Sequence, residues 1–193
     1  MQTIKRLGFS LIMVLMAYGI QAQFTIQAGM NAASWRASIE GLTIETDSRV
    51  GFHIGGTYST PVSDKFMFKP GLLYSQKGAK FGGFLDESLD IVQTYVEIPL
   101  TFVYQSNPEK GFFAEGGPYI GFLLSAESEG EDIKEAYNST DFGLNLGLGY
   151  DFGKILIGLR GGLGITNIAK DDGDLQGGTV TNSNGQLYFA VKL

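Results

Sequence analysis

Glu97, Glu115 and Arg160 are the residues whose types and spacing come closest to a chemical apparatus in this chain of 193 residues. Two carboxylates held near one another could divide the roles of general acid and general base. The same trio reads more simply as an ion-pair cluster, since carboxylates and a guanidinium withdrawn from water need one another. His53 is the single histidine. A hydrolase or acyltransferase would require a Ser and an Asp disposed around it, and no such spacing accompanies it. A hydrogen-bonded interior imidazole is the plainer reading, and no catalytic residue is assigned.

Other chemistries are excluded or weakly supported. The chain has no Cys, which removes disulfides, thiolate metal sites, cysteine nucleophiles and the lipid-bearing Cys of a lipoprotein. Acidic runs at Glu127, Glu129, Glu131, Asp132 and Glu135, and at Asp171, Asp172 and Asp174, carry oxygens of the kind calcium takes. They lack the EF-hand spacing, so solvated loop charge is expected and no metal site is assigned. Asn138-Ser139-Thr140 matches a glycosylation acceptor by chance. The glycines at 143–153 and 158–164 do not open a helix after a strand, so no dinucleotide fingerprint exists and no cofactor is expected. With 14 Lys and Arg against 20 Asp and Glu, the net charge of -6 disfavours nucleic-acid binding.

The elements that must position these side chains are strands. From Phe142 to Phe152 the residues Phe142, Leu144, Leu146, Leu148, Tyr150 and Phe152 alternate with Gly143, Asn145, Gly147, Gly149 and Asp151, a period of two. The same alternation predicts eight strands at roughly 24–35, 49–60, 66–77, 91–105, 112–126, 139–152, 155–166 and 185–193. The connections alternate in length: 36–48, 78–90, 127–138 and 167–184 are long, whereas 61–65, 106–111 and 153–154 are short. All long loops therefore share one end. That asymmetry, with an even strand count, is expected of an outer-membrane barrel with short periplasmic turns.

Charge decides which face looks outward. The apolar parity of the eight strands holds no Asp, Glu, Lys, Arg or His, although charged residues form 18% of the chain. One Lys or Arg in the middle of a lipid-facing surface costs about 2–4 kcal/mol. The many Phe, Leu and Ile side chains of that face also exceed what an eight-stranded lumen admits. The opposite parity carries small residues and Gln27, Asn31, His53, Lys69, Glu97, Glu115, Asp141, Asn145, Arg160 and Lys192. These predict a narrow lumen filled by a structural polar network of Glu97, Glu115, Arg160, His53, Asp141 and Lys69. Trp35, Tyr58, Phe66, Tyr74, Tyr104, Phe112, Tyr150 and Phe152 are expected to form interfacial girdles. The predicted fold is all-β: an eight-stranded antiparallel transmembrane up-and-down barrel in contact with outer-membrane lipid.

The first residues give the address. Lys5 and Arg6 precede an apolar run from Leu7 to Ile20, followed by Gln21-Ala22-Gln23. This pattern predicts a secretory signal peptide over 1–22, leaving a barrel domain over 23–193. A transmembrane anchor would need about 20 apolar residues.

Four stretches carry a family resemblance: Gly71-Leu72-Leu73-Tyr74-Ser75-Gln76-Lys77-Gly78, Tyr95-Val96-Glu97-Ile98-Pro99-Leu100, Gly117-Pro118-Tyr119-Ile120-Gly121 and Gly164-Ile165-Thr166-Asn167. In order and spacing the chain resembles the outer-membrane β-barrel domain family, also called PorT-like, of Bacteroidota. The resemblance implies an outer-membrane location. The PorT link to secretion and gliding does not transfer a mechanism, since most members have no assigned activity. The function expected is that of a non-enzymatic envelope component whose long loops meet envelope protein partners; the alternative is an outer-membrane enzyme using His53 with lumen or loop carboxylates.

Overall fold

The computed structural model describes residues 23–39, 42–82, 89–107, 109–170 and 178–193. The signal peptide predicted over 1–22 lies outside them. Eight long strands form the wall: β1 (Gln23–Ile39), β3 (Arg49–Pro61), β4 (Phe66–Phe81), β5 (Leu89–Gln105), β6 (Gly111–Ser128), β8 (Thr140–Asp151), β9 (Ile155–Gly164) and β10 (Thr179–Lys192). Two short strands, β2 (Leu42–Glu45) and β7 (Glu131–Asp132), pair with β1 and β6 at the loop end. Each wall strand pairs antiparallel with its sequence neighbour in the wall. β10 closes on β1 from Thr25↔Lys192 to Ser38↔Thr179. Closure leaves no edge in the wall, the condition for a sheet to span hydrocarbon.

The register is staggered. Following paired positions from Ser34 through Ser183, Leu163, Leu144 and Pro118, and on round the sheet, returns to β1 at Phe24, ten residues nearer its start. A stagger of that size tilts strands by about 40° and leaves an interior that side chains fill. Alternation then sorts the residues as the pattern demanded. Phe102, Leu144, Leu146, Leu159 and Phe189 point outward and are more than half exposed, while Gln27, Asn31, His53, Lys69, Glu97, Glu115, Asp141 and Arg160 are buried.

Among the described residues the strands reach further into the loop end than the alternation suggested. The first strand runs on to Ile39 and the last begins at Thr179, so parts of the expected 36–48 and 167–184 loops are wall. Within 127–138, Glu129 (φ 52°) and Gly130 (φ 86°) both adopt left-handed conformations. They join β6 to β7 in the manner of a type I′ hairpin, and a single 3-10 turn follows at Lys134–Ala136. A bulge at Leu124, opposite Thr94 and Tyr95, reverses the parity of β6, so that both Leu123 and Ala126 face inward.

One girdle residue is corrected. Trp35 is 6% exposed and faces inward, because β1 continues past it with unchanged parity; its ring packs on Phe81 and Tyr137. Tyr58, Phe66, Tyr74, Tyr104, Phe112 and Phe152 remain on the outer surface. Phe66 stacks obliquely on Tyr104, and Phe112 meets Tyr150 edge to face.

Candidate functional site

The polar residues of the lumen assemble into three ionic layers. The middle layer centres on Glu115 of β6. Its Oε2 accepts from Lys69 Nζ at 2.6 Å, and its Oε1 accepts from Arg160 Nε at 2.8 Å and Tyr188 OH at 3.0 Å. Lys69 reaches from β4 and Arg160 from β9, so the carboxylate ties three non-adjacent strands. Gly147 lies between Glu115 and Arg160 in register. A Cβ there would stand 3.1 Å from Glu115 Cγ, so a larger residue would fill the path along which the two charges meet. Gly158 plays the same part for Tyr188, whose ring would lie 2.4 Å from a Cβ at that site.

The layer nearer the loops is built on Lys77, which pairs with Glu97 and, at 3.2 Å, with Asp141 Oδ2. That oxygen also accepts from Tyr119 OH at 3.1 Å and Asn182 Nδ2 at 2.9 Å. The ammonium lies 4.4 Å from the centre of the Tyr119 ring, a cation–π contact. Nearest the periplasm, Asp151 pairs with Lys192 and accepts from Gln105 Nε2 at 2.9 Å. Counting all three layers, four cations (Lys69, Lys77, Arg160, Lys192) face four carboxylates (Glu97, Glu115, Asp141, Asp151). The lumen is balanced with His53 uncharged.

Of the six residues expected to form the network, Glu115, Arg160 and Lys69 meet directly. Glu97 and Asp141 meet through Lys77. His53 stands apart, its Nδ1 2.7 Å from Asn31 Oδ1. Asn31 in turn donates to Ser75 Oγ at 3.1 Å and to the Gln76 carbonyl at 2.8 Å. The amide therefore separates the imidazole from the nearby hydroxyl, and no Ser-His-Asp relay forms among these groups. His53 and Ser75 are 1% and 0% exposed, which keeps both from a dissolved substrate.

Lys77, Asp151, Tyr95, Tyr119, Tyr188, Asn182 and Gln186 complete the lumen and were not among the expected network residues. Their signal was present for all but Asn182, since the others lie on the inward parity of predicted strands; Asn182 fell in the expected 167–184 loop, and β10 begins earlier, at Thr179. Lys77 stood at the predicted end of its strand.

Above the ionic layers the described residues form an apolar cap. Trp35, Ala79, Ile91 and Ile168 form its buried centre, with Ile133, Tyr137 and Val180 packed against them. Tyr95, Leu123 and Ala126 extend it downward. The wall strands supply most of the cap, two loops add Ile133, Tyr137 and Ile168, and these loops are tied to one another. Asn138 N–H donates to the Ile168 carbonyl at 2.8 Å and Lys170 N–H to the Ala136 carbonyl at 3.0 Å, while Asn138 Nδ2 donates to the carbonyls of Asn167 and Ala169. Burial in this cap pushes the Tyr137 phenol above its ordinary pKa. Toward the periplasm, a hollow of about 60 Å³ is lined by Gln27, Lys69, Gln105, Asp151 and Tyr188. That is room for a few waters.

No helix among the described residues is long and apolar enough to cross a membrane, and the crossing is made by strands. Among solved structures, the chain resembles Neisserial surface protein A at 17% identity, covering 89% of this chain and 99% of that one with a TM-score of 0.52. It also resembles Ail, the attachment invasion locus protein of Yersinia pestis, in complex with the heparin analogue sucrose octasulfate; identity is 15%, coverage 90% and 100%, and the TM-score 0.50. These likenesses show the fold. No curated protein sequence matches the chain. The family model for the outer membrane protein beta-barrel domain matches residues 10–170. With a closed eight-stranded wall, a charge-free outer belt and that match together, the chain belongs to the outer membrane protein beta-barrel domain family and resides in the outer membrane.

Proposed function

We propose that this barrel is a non-conducting, non-enzymatic component of the outer envelope that presents its long loops to a protein partner. The observation that carries the reading is the excess length of the wall at the loop end. β4, β5 and β6 run for 16, 17 and 18 residues, where about 9–11 suffice to cross a bilayer. The surplus forms a rim above the lipid, and among the described residues the 127–138 loop is tied to the segment 167–170. Exposed loops positioned by a rigid scaffold are the usual location of recognition surfaces. The filled lumen and the enclosure of His53 support a non-catalytic role. The four stretches beginning at Gly71, Tyr95, Gly117 and Gly164 support a place among the PorT-like barrels of Bacteroidota, and Lys5, Arg6 and the apolar run after them support export with cleavage after Ala22.

The test is crosslinking in intact cells followed by affinity capture of the barrel. The reading expects a specific partner with the wild type and with His53→Ala. It expects loss of that partner when the loop at 127–138 or the loop segment 167–178 before β10 is shortened, with heat-modifiable electrophoretic mobility showing that the barrel still folds. Capture unaffected by shortening either loop would contradict it. Loss of a lipid- or peptide-directed activity in a folded His53→Ala barrel would contradict it as well.

A further inference from the structure

Three prolines stand inside the wall in successive strands: Pro70 of β4, Pro99 of β5 and Pro118 of β6. The bonds from Val62 N–H to the Phe66 carbonyl, Gln105 N–H to the Lys65 carbonyl and Ser106 N–H to the Phe112 carbonyl fix which positions exchange hydrogen bonds across these strands. Counted in steps of two from them, each proline falls where its N–H would donate to the preceding strand. Proline has none to give. The carbonyls of Tyr58, Gly71 and Leu100 therefore lack their ladder donors, and pairing lapses at 58–59 against 69–70, at 71–72 against 98–99 and at 100–101 against 117–118.

Sheets confine proline to edges and bulges. The wall has no edge, and the register runs on unshifted across each lapse, as from Thr57↔Gly71 to Thr60↔Phe68, so no bulge absorbs these three. The lapses form one band, since Pro70 pairs laterally with Leu100, which faces Pro118. Tyr58, Leu72 and Leu100 are exposed on its lipid-facing side. Hydrocarbon supplies no donor to an orphan carbonyl, so the strands are held there by fewer bonds than on either side.

Behind the band the lumen turns partly apolar. The hollow toward the periplasm is bordered by Ser59 and Lys69, which are missing from the β3–β4 ladder, and Met67, Val103, Phe113, Leu156 and Ala190 give it an apolar side. It shares Gln23, Ser59, Met67 and Gln105 with a second recess of about 200 Å³ beside the turn at Pro61–Lys65. The hollow thus lies between the band of lapses and the periplasmic face.

We propose that the seam at Pro70, Pro99 and Pro118 opens to admit a small, uncharged, apolar molecule from the bilayer into this hollow, and that the recess releases it to the periplasm. The strands touch in this structure, since a Cβ at Gly117 would stand 2.1 Å from the Leu100 carbonyl oxygen. Entry requires them to part, and the absent hydrogen bonds make parting easier. An uncharged guest carries no current, so this passage goes beyond the non-conducting reading without opposing it.

The chain has no Cys, so Val103→Cys places a single thiol on the apolar side of the hollow. The full mature barrel carrying it is reconstituted in bilayers and treated with an alkyl methanethiosulfonate that partitions into lipid or with a sulfonate-bearing one confined to water. A second version adds Pro70→Ala, Pro99→Ala and Pro118→Ala, which restores the three donors. The alkyl reagent should label the thiol at least about tenfold more slowly in the restored wall, where three more hydrogen bonds must break. The sulfonate reagent, which enters through the recess, should react equally with both. Equal alkyl rates in the two versions, or no alkyl labelling at all, would overturn the proposal. So would an equal fall for both reagents, which would assign the effect to the recess. Should the triple replacement fail to fold, Pro70→Ala alone decides: the alkyl rate should fall about threefold, and an unchanged rate would overturn the proposal.

Discussion

Glu115 and Arg160 meet at 2.7 Å across a whole intervening strand, directly over Gly147 of β8. The contact joins β6 to β9 through the lumen, independently of the backbone ladder. Glu115 also holds Lys69 at 2.6 Å, so its removal strands two buried cations. Glu115→Ala should therefore destabilise the folded barrel by about 3–5 kcal/mol, read as a lower urea midpoint for unfolding from detergent. Lys69→Met should cost less, because Arg160 still neutralises the carboxylate.

Trp35 locks the two cap loops onto the wall. Truncation to Ala removes a buried aromatic side chain that contacts both Phe81 and Tyr137, and should cost about 3–5 kcal/mol. The cap should loosen before the wall does. Limited trypsin digestion checks this: cleavage after Lys134 and Lys170 should accelerate in Trp35→Ala while the strand residues stay protected.

Inward and outward glycines should respond oppositely to a methyl group. A Cβ at Gly158 would lie 2.4 Å from the Tyr188 ring, whereas at Gly161 the first neighbour is the Leu146 carbonyl oxygen at 3.9 Å. Gly158→Ala should displace Tyr188 from Glu115 and lower the urea midpoint. Gly161→Ala should be neutral or stabilise by about 0.4–1 kcal/mol.

Leu146 tests the assignment of the outer face. It is 72% exposed on the lipid-facing surface, so Leu146→Arg should cost about 2–4 kcal/mol for folding into bilayers. In a water-soluble barrel the same change would be nearly silent.

The architecture was legible in the sequence because one constraint dominates it. A wall between lipid and a narrow lumen forces a period of two, and the charge-free parity from Phe142 to Phe152 identifies the lipid side. The inward placement of Glu97, Glu115, Asp141 and Arg160 followed from that parity alone. Their partners did not. Which lysine reaches which carboxylate depends on strand stagger, and Asp141 takes its cation, Lys77, from β4 rather than from either neighbouring strand. The loop end was less legible because the pattern weakens where lipid ends. Trp35 read as an interfacial aromatic, yet β1 continues beyond it and turns the ring inward. The Glu129–Gly130 hairpin was hidden in what read as an acidic loop, since Glu rarely adopts positive φ.

The central claim is that ionic layers and an apolar cap fill the lumen of an outer-membrane barrel, and planar-bilayer recording of the purified, folded chain tests it most directly. The account predicts a silent bilayer, with no reproducible conductance steps across a range of voltages and salts. Large, reproducible steps from the pure protein would contradict it, because on this account the layers around Glu115 and Lys77 and the cap around Trp35 fill the lumen.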